Sequence, residues 1–562
     1  MRRRWGHPIL NLDLSVIGKA QVMAVKDISA PTARRHGPTD AAVRAITAES
    51  EGVAAARSYF WGILALALAI RVAVIVAGPY IIHPDELFQY YEQAHRLAFG
   101  DGVIPWEFHD GARSWLIPGI LTAIMRLTRQ VGSDPIYYID GIRILCAVLS
   151  LTVVWVGFEL ARRRDGRFGA VLTGTLCAIW VDPIYFAPSI MAEVLSAYCF
   201  LAAFLVADSA AGREAPRQMA VVGMLLGLAV CFRVQMGPAL FVFAVLRCRT
   251  EWRRCWLPLL VGGGAVVTLD LGVLDFLTWG SPFHSVWRYL LRGLFEKFGG
   301  GYAEGPGSLY IYAHMIGSAW TPRALLLACF AIIGAFRLPL LAIVMLALAG
   351  THAVFANAEY RYLCCALLAC PILMGMGASY FCNIVHRIFQ AHGLRDQLTK
   401  LATGSAVLAY SAVASYVALN SGALFQTLDR NILEAFLLAH RQPQLCGLAA
   451  LGIGWVEGWS YTYLDRDVPL YGGSFSTLRT IGPGISLPQS IVLRGKLLPT
   501  YSDDELEHDA ELYNFLIAPP DRRVAGFTSV ECFGRDGQPA NPKLCLYKRP
   551  GGCEQPSAPP AG

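Results

Sequence analysis

The sequence predicts an all-α protein that crosses a membrane about eleven times and ends in a small α/β domain. The chain of 562 residues is 55% hydrophobic and only 16% charged, with a mean hydropathy of +0.45. This balance is typical of multi-span membrane proteins. Long apolar runs alternate with short arginine-rich clusters between residues 58 and 420. After residue 420 the alternation stops, and short β-type runs follow between Gly, Pro and Asp turns.

The order of the apolar runs predicts the topology. Residues 1–57 form a polar, arginine-rich segment that we expect on the cytoplasmic side, before a first crossing at about residues 58–78. The segment Ser114–Leu127 is apolar but short, so it fits either a crossing or a helix on the membrane surface. Only the surface helix places Arg162–Arg167 on the cytoplasmic side, as the positive-inside rule requires. Further crossings are then expected near residues 141–161, 168–181, 189–208, 217–233, 236–247, 256–274, 316–336, 338–352, 361–382 and 401–420.

This topology defines the expected domains. The membrane domain covers residues 58–420 and contains a polar loop, 79–140, on the exoplasmic side. Residues 421–550 are predicted to form an exoplasmic α/β domain, and residues 551–562 a disordered tail. The strands of the α/β domain are expected at Cys446–Trp455, Ser490–Leu498, Leu512–Ala518, Val524–Cys532 and Lys543–Lys548.

The fifteen cysteines fall into two groups. Eleven precede residue 400, mostly in or beside apolar runs, where a thiol is usually a small buried hydrophobe. The other four lie in the polar C-terminal region without zinc-type CxxC spacing, and they indicate disulfides in an oxidising compartment. Two of them, Cys532 and Cys545, flank a predicted hairpin that a disulfide would clamp.

A charged stretch directly follows the first predicted crossing. It reads His83-Pro-Asp-Glu-Leu-Phe-Gln-Tyr-Tyr-Glu92, then Pro105-Trp-Glu-Phe108 and Arg113-Ser114. If a helix starts at the proline, Asp85, Gln89 and Glu92 share one face. Such a helix would lie along the membrane surface and turn its acids toward a water-accessible pocket, a suitable floor for an active site. Acids after a first-turn proline are also ordinary helix-start residues.

The wider pattern resembles the first lumenal loop of glycosyltransferase family 22, the GPI and lipid-linked-oligosaccharide mannosyltransferases. That loop has an HPDExFQ motif, a TWEF-like segment and a following Arg-Ser pair. The matching residues here are His83, Asp85, Glu86, Gln89, Glu92, Trp106, Glu107 and Arg113. The resemblance extends over about residues 60–380 and implies a GT-C-type fold.

Further residues resemble polar positions of the same family. Residues 357–362, Asn-Ala-Glu-Tyr-Arg-Tyr, resemble the family's HS…HKExRF motif, although Asn-Ala replaces its His-Lys pair and one expected cation is missing. The candidates from these positions are Glu193, Arg233, Asp275, His352, Glu359 and Arg361. Structural alternatives exist: Arg233 also fits an arginine that snorkels to the interface, and acids at span ends are often solvated caps. We expect Arg71 to pair with a carboxylate of a neighbouring span and Asp182 to start a turn.

The resemblance implies an inverting mannosyltransferase that needs no metal or other cofactor. Its donor would be a polyprenyl- or dolichyl-phosphate mannose, and its acceptor a glycan or glycolipid hydroxyl on the exoplasmic side. In this assignment Asp85 is the base, with Glu86 as the alternative or an orienting partner, and Arg233 and Arg361 contact the phosphate. The acceptor-side or scaffold residues are Gln89, Glu92, Trp106 and Glu107. One base and a cationic stabiliser of the leaving phosphate suffice for such a transfer.

Two other functions remain open. One is transfer of another lipid-linked sugar, such as a pentose or glucose. The other is transport of a lipid-linked glycan, although a transporter more often shows repeated halves and charges through the midplane. We find no P-loop, HExxH or GxSxG motif, and no metal-binding DxD motif stands out. The formal charge of +6 lies in topology-setting clusters, so we expect membrane lipids and no nucleic acid as partners. The expected location is a bacterial inner membrane with a periplasmic site, or the endoplasmic reticulum membrane in a eukaryote.

Overall fold

The apolar runs fold as helices in the computed structural model of the chain. It describes residues 40–78, 81–210, 215–291, 308–353, 358–391, 405, 409–410, 412–416, 430–453, 460–472, 503–522, 524–534 and 542–553. The chain divides into two compact units, residues 1–57 and 58–562. The charged stretch, the sheet and most of the helices belong to the second unit.

Nine long or apolar helices of the described residues account for most of the hydrophobic sequence. They are α1 (Asp40–Val76), α5 (Ile136–Ile179), α7 (Ala192–Ser209), α8 (Pro216–Phe232), α9 (Gly237–Cys248), α10 (Leu257–Val267), α13 (Ser308–Arg337), α14 (Pro339–Ala353) and α15 (Cys364–Ala391). Shorter helices lie between them: α2 (Glu92–Phe99), α3 (Trp106–His109), α4 (Leu116–Thr128), α6 (Val181–Tyr185), α11 (Asp275–Trp279) and α12 (His284–Leu291). Glu86–Tyr91, Trp252–Trp256 and Thr268–Leu274 are π-helical, and Val234–Met236 and Tyr360–Leu363 are 3-10 turns.

Several of these helices have the length and composition of membrane spans. Within the described residues five stretches qualify: Arg57–Val76, Ile136–Ile179, Ala192–Ser209, Trp252–Trp279 and Tyr360–Gln390. A sixth is formed if Leu327–Arg337 and Pro339–Ala353, which meet at a bend of 116°, are one broken span. The helix α5 has 44 residues and a non-helical Gly166, with φ of 71°, between the runs predicted as two crossings. The architecture is therefore that of a multi-span helical protein, whereas the count of eleven stays a prediction.

The helix α4 is short, and its predicted position on the membrane surface stays a prediction. Its 13 residues extend about 20 Å, which is less than the roughly 30 Å of a bilayer core. It packs against α2 and α5, and the guanidinium of Arg126 donates to the Leu97 carbonyl at 2.8 Å.

Close backbone packing joins α8 to α10. A Cβ atom on Gly223 would lie 2.0 Å from the Leu259 carbonyl oxygen, and one on Gly262 would lie 2.1 Å from that of Ala220. Only glycine permits such an approach, which is a common way for membrane helices to pack. This packing fixes the end of α8, where Arg233 follows, relative to the span that carries Asp270.

The expectation for Arg71 is wrong in its choice of partner. Its guanidinium is fully buried and donates to the Ser150 hydroxyl at 2.6 Å and to the carbonyls of Ala67 and Ala178 at 2.9 and 3.2 Å. These acceptors are neutral oxygens and not a carboxylate. Backbone carbonyls near a kinked or terminal helix turn satisfy a cation here without a matching acid.

The C-terminal region contains a five-stranded mixed sheet with the order β2-β1-β3-β5-β4. The strands are β1 (Leu448–Ala450), β2 (Leu470–Gly472), β3 (Phe515–Ala518), β4 (Thr528–Gly534) and β5 (Pro542–Lys548). The first three are parallel neighbours, and β3, β5 and β4 pair antiparallel. Four strands overlap predicted ones, and β2 was not predicted. The predicted strand Ser490–Leu498 lies outside the described residues.

This region is attached to the start of the membrane domain by buried polar contacts. The Glu92 carboxylate accepts hydrogen bonds from the Ser460 hydroxyl at 2.7 Å and from the Thr462 amide and hydroxyl at 2.8 and 2.6 Å. Asp465 lies 3.2 Å from His95 and forms an ion pair with Arg129. The sheet region therefore lies on the same side as the charged stretch.

Three disulfides occur among the described cysteines. The predicted Cys532–Cys545 bridge joins β4 to β5, and a second bridge joins Cys446 to Cys553. The third, Cys248–Cys255, was not expected, because cysteines of that region were interpreted as buried hydrophobes. It lies in a loop predicted to be cytoplasmic, where disulfides are rare, so the bond and the predicted side of this loop disagree.

We expect the two C-terminal bridges to differ in their contribution to stability. The Cys446–Cys553 bridge spans 107 residues and the Cys532–Cys545 bridge only 13. In the chain-entropy description, their contributions are about 5 and about 3 kcal/mol. Thermal unfolding of Cys446→Ser and Cys532→Ser should therefore show the larger loss for the first. Alkylation of all four thiols without prior reduction would contradict both bridges.

Candidate active site

The adjacent acids Asp85 and Glu86 of the charged stretch have different surroundings. The Glu86 carboxylate is buried and accepts backbone hydrogen bonds from Ile82 at 3.1 Å and from Ile190 at 2.9 Å. Burial raises the pKa of Glu86, and these two bonds oppose the increase. Glu86 thus anchors the loop to the residues before α7. The sequence left Asp85 and Glu86 open as alternatives, and the geometry leaves Asp85 as the acid with a partly exposed carboxylate.

The predicted acidic face does not form. The turn Glu86–Tyr91 is π-helical, and its wider turn changes which residues align. The Gln89 amide donates to the Glu107 carboxylate at 2.6 Å, whereas Glu92 accepts from the Val103 amide at 2.6 Å and from the C-terminal region. The residues Gln89 and Glu92 are buried supports and do not line one pocket with Asp85. Of the two roles predicted for them, the scaffold role fits this geometry, and the acceptor-side role stays a prediction.

Asp85 faces Arg361, a cation from the second family motif at residues 357–362. Its Oδ2 atom lies 2.7 Å from an Arg361 guanidinium nitrogen, and its side chain is 27% exposed. His83 bridges the two motifs, since its Nδ1 lies 3.6 Å from Asp85 and its Nε2 lies 3.2 Å from Glu359. Burial alone would raise the pKa of Asp85, but Arg361, His83 and Arg113 hold it below its ordinary value. The carboxylate is therefore ionised at neutral pH.

A network of opposite charges surrounds this pair. Arg361 lies 3.5 Å from Glu193 and 2.5 Å from Glu359, and Arg233 lies 3.1 Å from Glu193. Both guanidiniums also lie over the Tyr362 ring, at 5.2 and 5.3 Å from its centroid. Arginine is suited to such sites because its planar fork binds several oxygens and stacks on aromatic rings. Glu193, Arg233, Glu359 and Arg361 thus meet in one cluster.

His352 and Asp275 have separate environments. The His352 ring stacks on Tyr362 at 5.4 Å, which ties it to the same cluster. Asp275 instead accepts from the amide and the hydroxyl of Ser285 at 2.8 and 2.6 Å, at the start of α12. Its role in the structure is to anchor α12, as a carboxylate at a helix start commonly does.

Arg113 lies close to the cluster but pairs with aromatic groups. Its guanidinium lies 5.1 Å from the centroid of the Tyr289 ring. Burial disfavours its charge, yet Tyr90, Tyr289 and two acids raise its pKa above the ordinary value. The Nε atom of Arg113 is buried and has no hydrogen-bond partner among the described residues. A buried donor of this kind is available to a ligand.

An open pocket adjoins Arg113. It is lined by Tyr90, Ala112, Arg113, Ser114, Leu116, Ile117, Cys231, Phe232, Val234, Gln235, Asp270, Leu271, Ser285, Val286 and Tyr289. Most of these residues were not candidates from the sequence. In the part of the chain that the structure describes, no three His, Cys, Asp or Glu side chains converge as a metal site.

Asp182 was not among the site residues predicted from the sequence. It was predicted to start a turn, but it lies in α6 and its buried carboxylate accepts from the indoles of Trp180 and Trp320, both at 2.9 Å. It also accepts from the Tyr360 hydroxyl, next to Arg361. Asp182 therefore holds the 3-10 turn that presents Arg361. The signal for Asp182 available in the sequence was an acid that stands between two apolar runs and beside a tryptophan.

The buried Glu107, which accepts a hydrogen bond from Gln89, predicts a pH dependence of stability that can be tested. Trp106 and Glu107 begin α3, and burial raises the pKa of Glu107 to about 7 from an ordinary 4.5. Between these values the folded protein keeps a proton that the unfolded chain releases. This group therefore favours folding most below about pH 4.5, and its contribution declines until about pH 7. About 1.4 kcal/mol of the decline falls between pH 6 and pH 8.

We expect the melting temperature of the purified protein to be higher at pH 6 than at pH 8 because of this group. The substitution Glu107→Gln should reduce the difference, since the amide stays neutral and still accepts from Gln89. Asp208→Asn is a matched control at a partly buried acid that pairs with Arg164. If the pH difference persists unchanged in Glu107→Gln, the protonation of Glu107 is not its source.

The fold defines the class of protein as a helical membrane protein of the GT-C type. Two solved structures share this fold, ArnT from Cupriavidus metallidurans bound to undecaprenyl phosphate and the same protein in the apo state. The TM-scores are 0.57 and 0.54, with 13% and 14% identity. The matches cover 86% and 88% of this chain and 97% and 98% of the ArnT chains. At this identity the likeness concerns the fold alone.

The chain belongs to the Alg9-like mannosyltransferase family, whose family model matches residues 62–426. GPI mannosyltransferase 3 of Yarrowia lipolytica is 24% identical over 284 residues, which are 47% of this chain and 52% of that protein. The Drosophila melanogaster GPI mannosyltransferase 3 is 34% identical over 99 residues, 16% of this chain and 18% of that protein. The Xenopus laevis GPI alpha-1,2-mannosyltransferase 3 is 35% identical over 68 residues, 12% of this chain and 13% of that protein. The chain thus matches about half the length of the first of these relatives and less of the others.

Proposed function

We propose that the protein transfers mannose from a polyprenyl-phosphate-mannose donor to a hydroxyl of a glycan or glycolipid, with inversion, to give an α-linked product. The observation that carries the proposal is the ionised Asp85 carboxylate 2.7 Å from Arg361 in the exposed part of the charged cluster. Family membership supports mannose as the sugar. The related fold of ArnT, solved with undecaprenyl phosphate, supports a lipid phosphate in the donor.

The residues of the cluster match the steps of this reaction. The acceptor oxygen forms a bond to the anomeric carbon while the bond from that carbon to the donor phosphate breaks. Asp85 takes the proton of the acceptor hydroxyl, and the electron pair of the broken bond leaves with the phosphate. Arg361 and Arg233 stabilise the charge that develops on the phosphate oxygens. Inversion in one step requires a β-linked donor for an α-linked product.

Arg361 has a second role in this proposal. In the ligand-free protein it pairs with Asp85, which lowers the basicity of the carboxylate. A bound phosphate competes for the same guanidinium and would release Asp85 as the base. Glu193 and Glu359 keep Arg361 in place during this exchange, because both lie within 3.5 Å of it.

The direct test is transfer of radiolabelled mannose from a polyprenyl-phosphate donor in membranes that contain the protein. Label should appear in a glycan or glycolipid fraction, and its α-linkage should be sensitive to an α-mannosidase. Parallel assays with glucose- and pentose-linked donors decide the sugar. Transfer of a pentose or glucose in the absence of mannose transfer would contradict the proposal, and so would movement of an intact lipid-linked glycan without any transfer.

The proposal also places the reaction on the exoplasmic side. The arginine distribution predicts that everything after Asn420 lies outside, on the side of the charged stretch. A reporter that is active only in the exoplasmic compartment should therefore be active when fused after Ser421. Activity of a cytoplasmic reporter at this position would contradict both the topology and the proposed side of the reaction.

A further inference from the structure

The pocket beside Arg113 contains two polar atoms of opposite character that lack ordinary partners. Asp270 is 6% exposed, and its Oδ1 accepts from the Ser114 hydroxyl at 2.8 Å. Its Oδ2 has no hydrogen-bond partner among the described residues except the neighbouring Cys231 thiol, a weak donor. The Nε atom of Arg113, which also lines the pocket, is unpartnered among the described residues. Each unsatisfied buried polar atom costs free energy, so a ligand that hydrogen-bonds to both atoms would be stabilised here.

The charges of the pocket restrict the chemistry of that ligand. A phosphate would be repelled by Asp270, and a cation would be repelled by Arg113. Hydroxyl groups satisfy both, since each donates one hydrogen bond and accepts others. The Gln235 amide, which donates to the Tyr289 hydroxyl, adds further polar atoms. The rings of Tyr90 and Tyr289 and the side chain of Leu271 supply apolar walls, as a sugar ring with polar edges and apolar faces requires.

The position of the pocket favours the donor over the acceptor. Arg233, one of the proposed phosphate contacts, lies in the chain between Phe232 and Val234, and both of these line the pocket. Arg233 also interacts electrostatically with Tyr289 and Arg113 of the pocket, so a sugar attached to a phosphate at Arg233 would lie beside it. Asp270 itself lies in the candidate membrane span Trp252–Trp279.

We propose that this pocket binds the glycosyl ring of the lipid-linked donor and that Asp270 selects the sugar by accepting hydrogen bonds from its hydroxyls. This inference rests on the proposed function, because it assumes a lipid-linked sugar donor. It assigns sugar selection to Asp270, which lies outside the two sequence motifs. Asp85 and the arginines then act on the anomeric carbon and the phosphate, whereas Asp270 acts on the ring.

The test is Asp270→Asn in the full-length protein, assayed with polyprenyl-phosphate mannose. Loss of a charged hydrogen-bond acceptor should raise the KM for the donor about 10- to 100-fold. The KM for the acceptor should not change. Inhibition by polyprenyl phosphate without a sugar should also be unchanged, because its phosphate still binds the arginines. Asp208→Asn serves as the matched control with parental KM values.

Two further measurements keep the inference testable if Asp270→Asn folds poorly. Gln235→Met removes a polar wall of the same pocket and should also raise the donor KM. In the parental protein, deoxy-mannose donors that lack one hydroxyl at a time should show a large loss at the hydroxyl bound by Asp270. That loss should be absent in Asp270→Asn, because the two changes remove the same bond.

The outcomes separate this inference from the proposed function. An unchanged donor KM in both variants, or an increase in the acceptor KM instead, would overturn the assignment of the donor sugar while leaving mannosyl transfer intact. Weaker inhibition by sugar-free polyprenyl phosphate would place Asp270 at the phosphate and overturn it as well. Absence of transfer by the parental protein would instead refute the proposed function itself.

Discussion

Replacing Asp85 with asparagine is expected to lower sugar transfer by about 10²- to 10⁴-fold, the usual effect of losing a general base. The amide keeps the size of the side chain but does not take a proton from the acceptor. The fold should change little, because Arg361 keeps Glu193 and Glu359 as partners. The measurements are the initial rate of mannose transfer and the melting temperature of the same purified protein.

The neighbouring substitution Glu86→Gln is the control for this experiment. Glu86 is buried and both of its oxygens accept backbone hydrogen bonds, so the glutamine would leave one donor poorly satisfied. We expect a loss of about 1–3 kcal/mol in stability and a smaller effect on rate. If Asp85→Asn transfers at the parental rate while Glu86→Gln is inactive, the base is Glu86. If both remain fully active, the loop is a scaffold and the catalytic proposal fails.

The residues of the central charge cluster were predictable from the sequence because charge is rare in this chain. Asp85, Glu193, Arg233 and Arg361 stand at the ends of apolar runs, and a charged group in such a place needs a partner. The resemblance to the family connected two distant motifs. The structure then brings Asp85 and Arg361 to 2.7 Å. The helical membrane fold was predictable for the same reason, since apolar length is a direct consequence of bilayer thickness.

Other features depend on geometry that no local pattern specifies. The π-helical turn at Glu86–Tyr91 directs Glu92 away from Asp85, although an ideal α-helix would align them. Asp182 contacts Trp320 and Tyr360, which are far away in the chain, so its role follows from tertiary packing alone. Asp270 lies in a π-helical segment of a span, where the sequence shows only a single acid among apolar residues.

The second large effect is expected at Arg361. Arg361→Gln removes a cation that lies within 3.5 Å of Asp85, Glu193 and Glu359. Breaking a buried ion pair from one side typically costs about 3–5 kcal/mol, because the remaining charges are left unpaired. Loss of phosphate stabilisation should also lower transfer by about 10²- to 10³-fold. A simple measurement of activity therefore confounds misfolding with loss of chemistry.

A pair of further variants separates the two effects. Arg361→Lys keeps the positive charge and should retain most of the stability, but it loses the planar fork that binds several phosphate oxygens. The double variant Glu359→Gln with Arg361→Gln removes one charge of each sign and should recover part of the lost melting temperature. If Arg361 contacts the donor phosphate, both variants remain slow although they fold, and polyprenyl phosphate inhibits them less than the parental protein. Recovery of transfer in step with melting temperature would show instead that Arg361 only balances the buried acids, and the phosphate contact would then rest on Arg233 alone.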